Sequence, residues 1–168
     1  MTKEKKEKNW PFIIITGIGI LATLIFIFIF VQNMAINTVR SSVLLEKAYP
    51  HIKPEEYVNH LRIKAKKNNL RIVELREERG YYLIQLIDDK KLDEILSLSP
   101  QVAPLAIINL VIYDLGDGTA LVGNNPYIWD IIYPSSVIDE IAESFANQIS
   151  DILDSIYWDI KREKERLK

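Results

Sequence analysis

The sequence predicts an α+β chain: one N-terminal transmembrane helix, then a small antiparallel sheet packed against helices, ending in a long C-terminal helix. Three observations lead there. Residues Phe12 to Val31 form an uncharged, almost wholly apolar run. Two pairs of β-rich segments follow, each joined at a glycine. Isoleucines and a phenylalanine then recur every three or four positions from Ile138 to Ile160.

The first run reads FIIITGIGILATLIFIFIFV. At about 1.5 Å rise per residue such a helix matches the roughly 30 Å hydrocarbon core of a bilayer. Thr16 and Thr23 can return their hydroxyls to carbonyls one turn back. Trp10 is placed for the membrane interface, where an indole suits the headgroup layer. Lys3, Lys5, Lys6 and Lys8 precede the run, and basic residues resist translocation, so the N-terminus is expected in the cytoplasm and the rest in the periplasm or outside the cell. The run exceeds the about 7–15 apolar residues of a cleaved signal and its exit, QNMAINTV, lacks a small-x-small site, which favours an uncleaved anchor. The expected organisation is 1–11 cytoplasmic basic tail, 12–31 transmembrane helix, 32–53 juxtamembrane connection, 54–160 extracytoplasmic domain and 161–168 charged end.

The chain carries a formal net charge of −2 and no cysteine. Thiol catalysis, disulfides, iron–sulfur clusters and cysteine-built zinc sites are excluded. The four lysines and two glutamates of the tail are locally basic, leaving the remainder mildly acidic, with no electrostatic footprint for nucleic acid. The weight of Ile, Lys and Glu leans as in thermophilic proteins.

Residues 32–53 are expected to continue the helix to about Thr38 and then run extended, with SSVLLEKAY as an alternative first strand. A helix begins at Pro54, since proline suits the first turn, Glu55 and Glu56 suit its positive end, and Lys64, Lys66 and Lys67 its negative end. Asn68-Asn69 can stop it. Leu70–Glu77 and Gly80–Ile87 read as a hairpin across Arg79-Gly80. Asp88-Asp89 opens a short helix ended by Pro100. The run PLAIINLVIYD then reads as a central strand covered on both faces, turning at Asp117-Gly118 into a strand over Thr119–Gly123. Ser136 with Asp139 three residues on resembles a capping box for the last helix.

The stretch Pro54–Ile156 resembles the family known as domain of unknown function 302. The order of parts carries the likeness: Leu83-Ile84-Gln85-Leu86-Ile87, the polar pair Asp88-Asp89, Pro100, the strand ending Asn109-Leu110-Val111-Ile112-Tyr113-Asp114, the turn Gly116-Asp117-Gly118, the strand ending Asn124-Asn125-Pro126, and the rhythm Val137-Ile138-Asp139-Glu140-Ile141-Ala142. The resemblance implies an α+β domain able to self-associate and implies no reaction. Many members carry Pro-Cys where this chain has Ile107-Ile108, and Cys-Asn-Pro where it has Ile87-Asp88-Asp89, so any cysteine chemistry of the family is lost here.

No catalytic or metal site is legible, and no cofactor is expected. His51 and His60 are nine apart, where a helical ligand pair needs three or four, and read as surface residues. The pairs Glu55-Glu56, Glu77-Glu78, Asp88-Asp89 and Asp139-Glu140 are adjacent residues that cannot face each other across a cleft, and two start helices. The segment Asn124–Tyr133 gathers amides and aromatics in a connection. Asn109, Asn124, Asn125, Tyr127 and Trp129 are therefore the candidate partner or ligand residues. The expected role is a non-enzymatic accessory module. Its partners would be the lipid bilayer and either a second copy or a membrane protein complex. The alternative is a small-ligand pocket between sheet and long helix, near Asn109 and Asn124.

Overall fold

A computed structural model describes residues 9–78 and 80–167. Lys3, Lys5, Lys6 and Lys8 of the basic tail, and Arg79 of the first hairpin turn, lie outside the described residues. Contacts divide the chain into two units, Met1–Val39 and Arg40–Lys168.

Helix α1 spans Trp10–Val43. It is long and apolar enough to cross a membrane, and none of its apolar window is buried. Trp10 is its first residue and is exposed. The Thr23 hydroxyl donates to the Gly19 carbonyl at 2.9 Å, which satisfies the hydroxyl within the helix itself. The helix runs to Val43 rather than ending near Thr38, because no residue between them breaks it.

The second unit is α+β, as its sequence predicts. A five-stranded antiparallel sheet has the order β1-β5-β4-β3-β2, with β1 Leu44–Pro50, β2 Arg71–Glu78, β3 Tyr81–Ile87, β4 Ile107–Asp114 and β5 Gly118–Asn124. Helix α2, Pro54–Lys67, starts on its proline and ends where Asn69 takes the left-handed conformation at φ 57°. Helix α3, Asp89–Leu98, is capped by the Asp88 carboxylate, which accepts from the Lys91 N–H at 3.0 Å. A 3-10 helix over Pro100–Ala106 then feeds β4. The short α4, Ile128–Ile132, leads to the long α5, Ser136–Arg166.

One core joins these parts. The α5 stripe Ile138, Ile141, Phe145, Ile149, Ile152, Ile156 and Ile160 is buried throughout. It packs with Tyr57, Val58 and Leu61 of α2 and with the inward rows of the sheet, Tyr82-Ile112-Leu121 and Ile84-Leu110. Gly123 completes the second row because nothing larger fits: a Cβ there would sit 2.6 Å from Leu110 Cδ2 and 2.7 Å from the Asn109 carbonyl oxygen.

Two expectations need correcting. Strand β4 is central but covered on one face only: Ile108, Leu110 and Ile112 are buried, while Asn109 is exposed and Val111 and Tyr113 are half-buried. The apolar residues of its second face are half-buried, so the run does not by itself require a covering layer there. The capping box at Ser136 does not form; the N-cap is Ser135, whose side chain makes no capping bond, and the Asp139 N–H bonds the Ser135 carbonyl at 2.9 Å. In the stretch expected as a connection, the alternative of SSVLLEKAY as a first strand holds: β1 pairs with β5 from Leu44↔Asn124 to Pro50↔Gly118.

Candidate binding surface

Residues alternate across a strand, so the register alone states what the uncovered face of the sheet presents. Three rows cross it. The outermost joins Glu78, Tyr81, Tyr113, Ala120 and Ala48; the middle joins Arg76, Leu83, Val111, Val122 and Glu46. The third carries Val73, Gln85, Asn109, Asn124 and Leu44. Antiparallel sheets with a solvated face place polar residues there. Here the middle of the face is Leu83, Val111, Val122 and two tyrosines, and among the described residues ion pairs lie at its edges: Arg40–Glu46 at 2.7 Å beside β1, and Arg76–Glu78 on β2. A groove of about 340 Å³ runs along the β1 side, lined in part by Ala48, Tyr113, Ala120 and Val122.

The third row is a ladder of amides. Gln85 Nε2 donates to Asn109 Oδ1 at 2.9 Å, and Asn109 Nδ2 lies 3.4 Å from Asn124 Oδ1. Asn124 also acts on backbone: its Oδ1 accepts from the Asn109 N–H at 2.6 Å, and its Nδ2 donates to the Ile107 carbonyl at 3.0 Å. Those bonds replace the strand ladder where β4 and β5 stop pairing. Asn125 is likewise a clamp, with its N–H on the Val43 carbonyl at 2.9 Å, its Nδ2 on the Ser41 carbonyl at 3.1 Å and its Oδ1 accepting from the Tyr127 N–H at 3.1 Å.

The five candidate residues therefore divide. Asn109 and Asn124 come together on the open face. Asn125 and Tyr127 form the turn leaving β5, where a hydrogen bond to Asp130 raises the Tyr127 phenol above its ordinary range. Trp129 turns inward and packs against the core. The space expected to form a ligand pocket between the sheet and α5 is filled by fully buried Leu110, Leu121, Phe145 and Ile149. Asn109 and Asn124 lie on the opposite side of the sheet, so the amides expected to line that space are not beside it.

Spacing misses a second polar group, at the β1 edge beneath α5. Tyr49 donates through its hydroxyl to Asp154 Oδ1 at 2.8 Å, Lys47 Nζ bonds Asp154 Oδ2 and Ser150 Oγ, and Tyr57 donates to the Leu153 carbonyl at 2.9 Å. Tyr49 stacks between Tyr57 and Tyr157, with ring centroids 5.1 Å and 5.4 Å away. Burial foremost pushes both Tyr49 and Tyr57 well above an ordinary phenol, and for Tyr49 the hydrogen bond to Asp154 adds to it. The tyrosines are packed in and Asp154 stays partly open to solvent, and the group holds β1 to α5.

The histidines stay apart. His51 is exposed in the left-handed region at φ 62°, and His60 lies 3.5 Å from Glu163. Among the described residues no three His, Cys, Asp or Glu side chains cluster as a metal site would need. Glu56 pairs with Lys164 and Asp89 with Arg71.

No family model matches the chain, and no curated protein matches it. Among solved structures, it is similar to the crystal structure of an uncharacterised conserved protein of the domain of unknown function 302 group from Bacillus stearothermophilus. That likeness has a TM-score of 0.54 at 14% identity, covering 66% of this chain and 95% of the other. It establishes a shared fold.

Proposed function

We propose that this chain is a single-pass membrane protein whose N-terminus stays in the cytoplasm and whose α+β domain stands on the far side as a non-enzymatic interaction module. The open sheet face is its binding surface. That face carries the reading: Leu83, Val111, Val122, Tyr81 and Tyr113 are half-buried and form an apolar centre on the side of the sheet away from the core. Contiguous apolar surface of this kind is a feature of contacts with other proteins. The anchor is supported by the length and apolarity of α1, and the orientation by the four lysines before it.

Because the chain has no cysteine, single cysteines report both halves of the reading. Lys66→Cys, exposed on α2, and Val122→Cys, on the open face, are treated in intact spheroplasts with a membrane-impermeant maleimide. The expected result is rapid labelling at residue 66 and protection at residue 122, lifted when detergent and mild denaturant separate the partners. Labelling at residue 66 only after permeabilisation overturns the topology. Equal labelling at both positions overturns the interaction surface.

A further inference from the structure

We infer that the outer side of α4 is a lipid contact, with Ile131 and Ile132 reaching into the boundary between headgroups and acyl chains of a zwitterionic phospholipid surface. This rests on the membrane reading above and is independent of the open sheet face.

Two exposed isoleucines in succession are the starting observation. Helix α4 turns Trp129 to the core and leaves Ile131 56% and Ile132 59% exposed. Half-buried tyrosines stand on either side, Tyr127 before the helix and Tyr133 after it. Val137, in the first turn of α5, is exposed again. Aliphatic side chains bracketed by tyrosine suit the membrane–water interface, where amphipathic rings sit at headgroup level.

Their place in the chain supplies the second observation. From Trp10 to Val39 the sequence carries no charge. As helix this stretch is about 45 Å long, the thickness of a bilayer with both headgroup layers. Arg40 is the first charge after it, so the next residues begin at the headgroup edge. Asn125 holds those residues directly, with its Nδ2 on the Ser41 carbonyl at 3.1 Å and its N–H on the Val43 carbonyl at 2.9 Å. The Asn125 carbonyl in turn accepts from the Ile128 N–H that opens α4. Ile132 follows after one turn and one short helix, within about 12 Å of Asn125.

Charge decides the kind of surface. No lysine or arginine occurs between Lys91 and Lys161, while Asp130, Asp139, Glu140 and Glu143 lie in and just beyond α4. Anionic headgroups would be repelled, so the contact is apolar and calls for neutral lipid. Five helical residues would hold a free protein to a bilayer only weakly. The anchor removes that difficulty, because it keeps α4 at high effective concentration beside the lipid.

The test places an environment-sensitive fluorophore on single cysteines of the full chain in phosphatidylcholine nanodiscs, with bromine on the upper acyl chains. The positions are Ile132→Cys, Phe26→Cys within α1, and Trp158→Cys, about 30 Å along α5 from its start. All three side chains are exposed, so folding is not at stake. Strong quenching is expected at residues 26 and 132. Quenching at residue 132 should exceed that at residue 158 by about fivefold, since an inserted side chain lies about 5–10 Å into the lipid boundary. Adding phosphatidylglycerol should not raise that ratio. Quenching at residue 26 but not at residue 132 overturns the inference and leaves the membrane reading standing. No quenching at residue 26 overturns both. Equal quenching at residues 132 and 158, or quenching at 132 that requires phosphatidylglycerol, overturns the apolar lipid contact. So does a residue 132 that stays unquenched in nanodiscs yet resists an impermeant maleimide in spheroplasts, which assigns the surface to a membrane protein instead.

Discussion

Asp154, near the middle of α5, accepts the Tyr49 hydroxyl of β1 at 2.8 Å, a bond between residues 105 apart in sequence. Lys47, two residues before Tyr49 on the same strand, holds the other carboxylate oxygen. Together they fasten an edge strand to the long C-terminal helix, which explains how β1 stays in the sheet although it follows directly on α1.

That linkage sets the alkaline limit of the fold. Tyr49 and Tyr57 have phenols raised above the ordinary value of 10.0, so the folded state favours their protonated forms. Their contribution is complete below about pH 10 and fades as the pH climbs from there toward their folded values. Melting temperature should hold level up to about pH 10 and fall beyond it. Tyr49→Phe should flatten that fall while lowering stability at neutral pH by about 1–2 kcal/mol, read from denaturant melts.

Gly123 should tolerate no side chain. Its missing Cβ is replaced by Leu110 Cδ2 and the Asn109 carbonyl oxygen, and the latter is backbone that cannot swing aside. Gly123→Ala should cost about 1–3 kcal/mol in urea unfolding. Gly19→Ala, where nothing lies within 4 Å, should leave the melting of the domain unchanged.

Much of this architecture could be read from residue spacing. The α5 stripe is legible because apolar residues every three or four positions specify one buried helix face, and all seven are buried. Helix α2 is legible from its proline start and asparagine stop. What the sequence leaves open depends on distant pairing. SSVLLEKAY reads as extended or as a first strand, and it is β5, far along the chain, that makes Leu44–Pro50 a strand of the sheet. The run around Asn109 differs for another reason. An apolar run does not say how far each face of a strand is covered: Ile108, Leu110 and Ile112 are buried, while Val111 and Tyr113 opposite them are half-buried. Trp129 shows the converse error, since an aromatic in a connection can serve the protein's own core.

Phe145 and Trp158 of α5 separate core from surface. Phe145 is fully buried, whereas Trp158 is 53% exposed, with its ring edge-on to Tyr157 and beneath the Lys161 ammonium. Phe145→Ala should destabilise the domain by about 3–5 kcal/mol through the lost burial and the cavity left behind. Trp158→Ala should stay within about 1 kcal/mol. Thermal melts of the two variants side by side measure the difference.

The two amides of the open face should also behave unequally. Asn124 holds both the Asn109 N–H at 2.6 Å and the Ile107 carbonyl at 3.0 Å, closing the end of the β4–β5 pair. The Asn109 side chain, by contrast, bonds other side chains, Gln85 and, weakly, Asn124. Asn124→Ala therefore leaves two backbone groups without their partners and should cost about 1–3 kcal/mol. It should also speed hydrogen exchange at the Asn109 amide by tenfold or more. Asn109→Ala exposes no backbone group, and its melting should shift by less than about 1 kcal/mol. Equal losses from the two substitutions would mean that the ladder acts through its side chains alone, against the bonding seen at the end of β4.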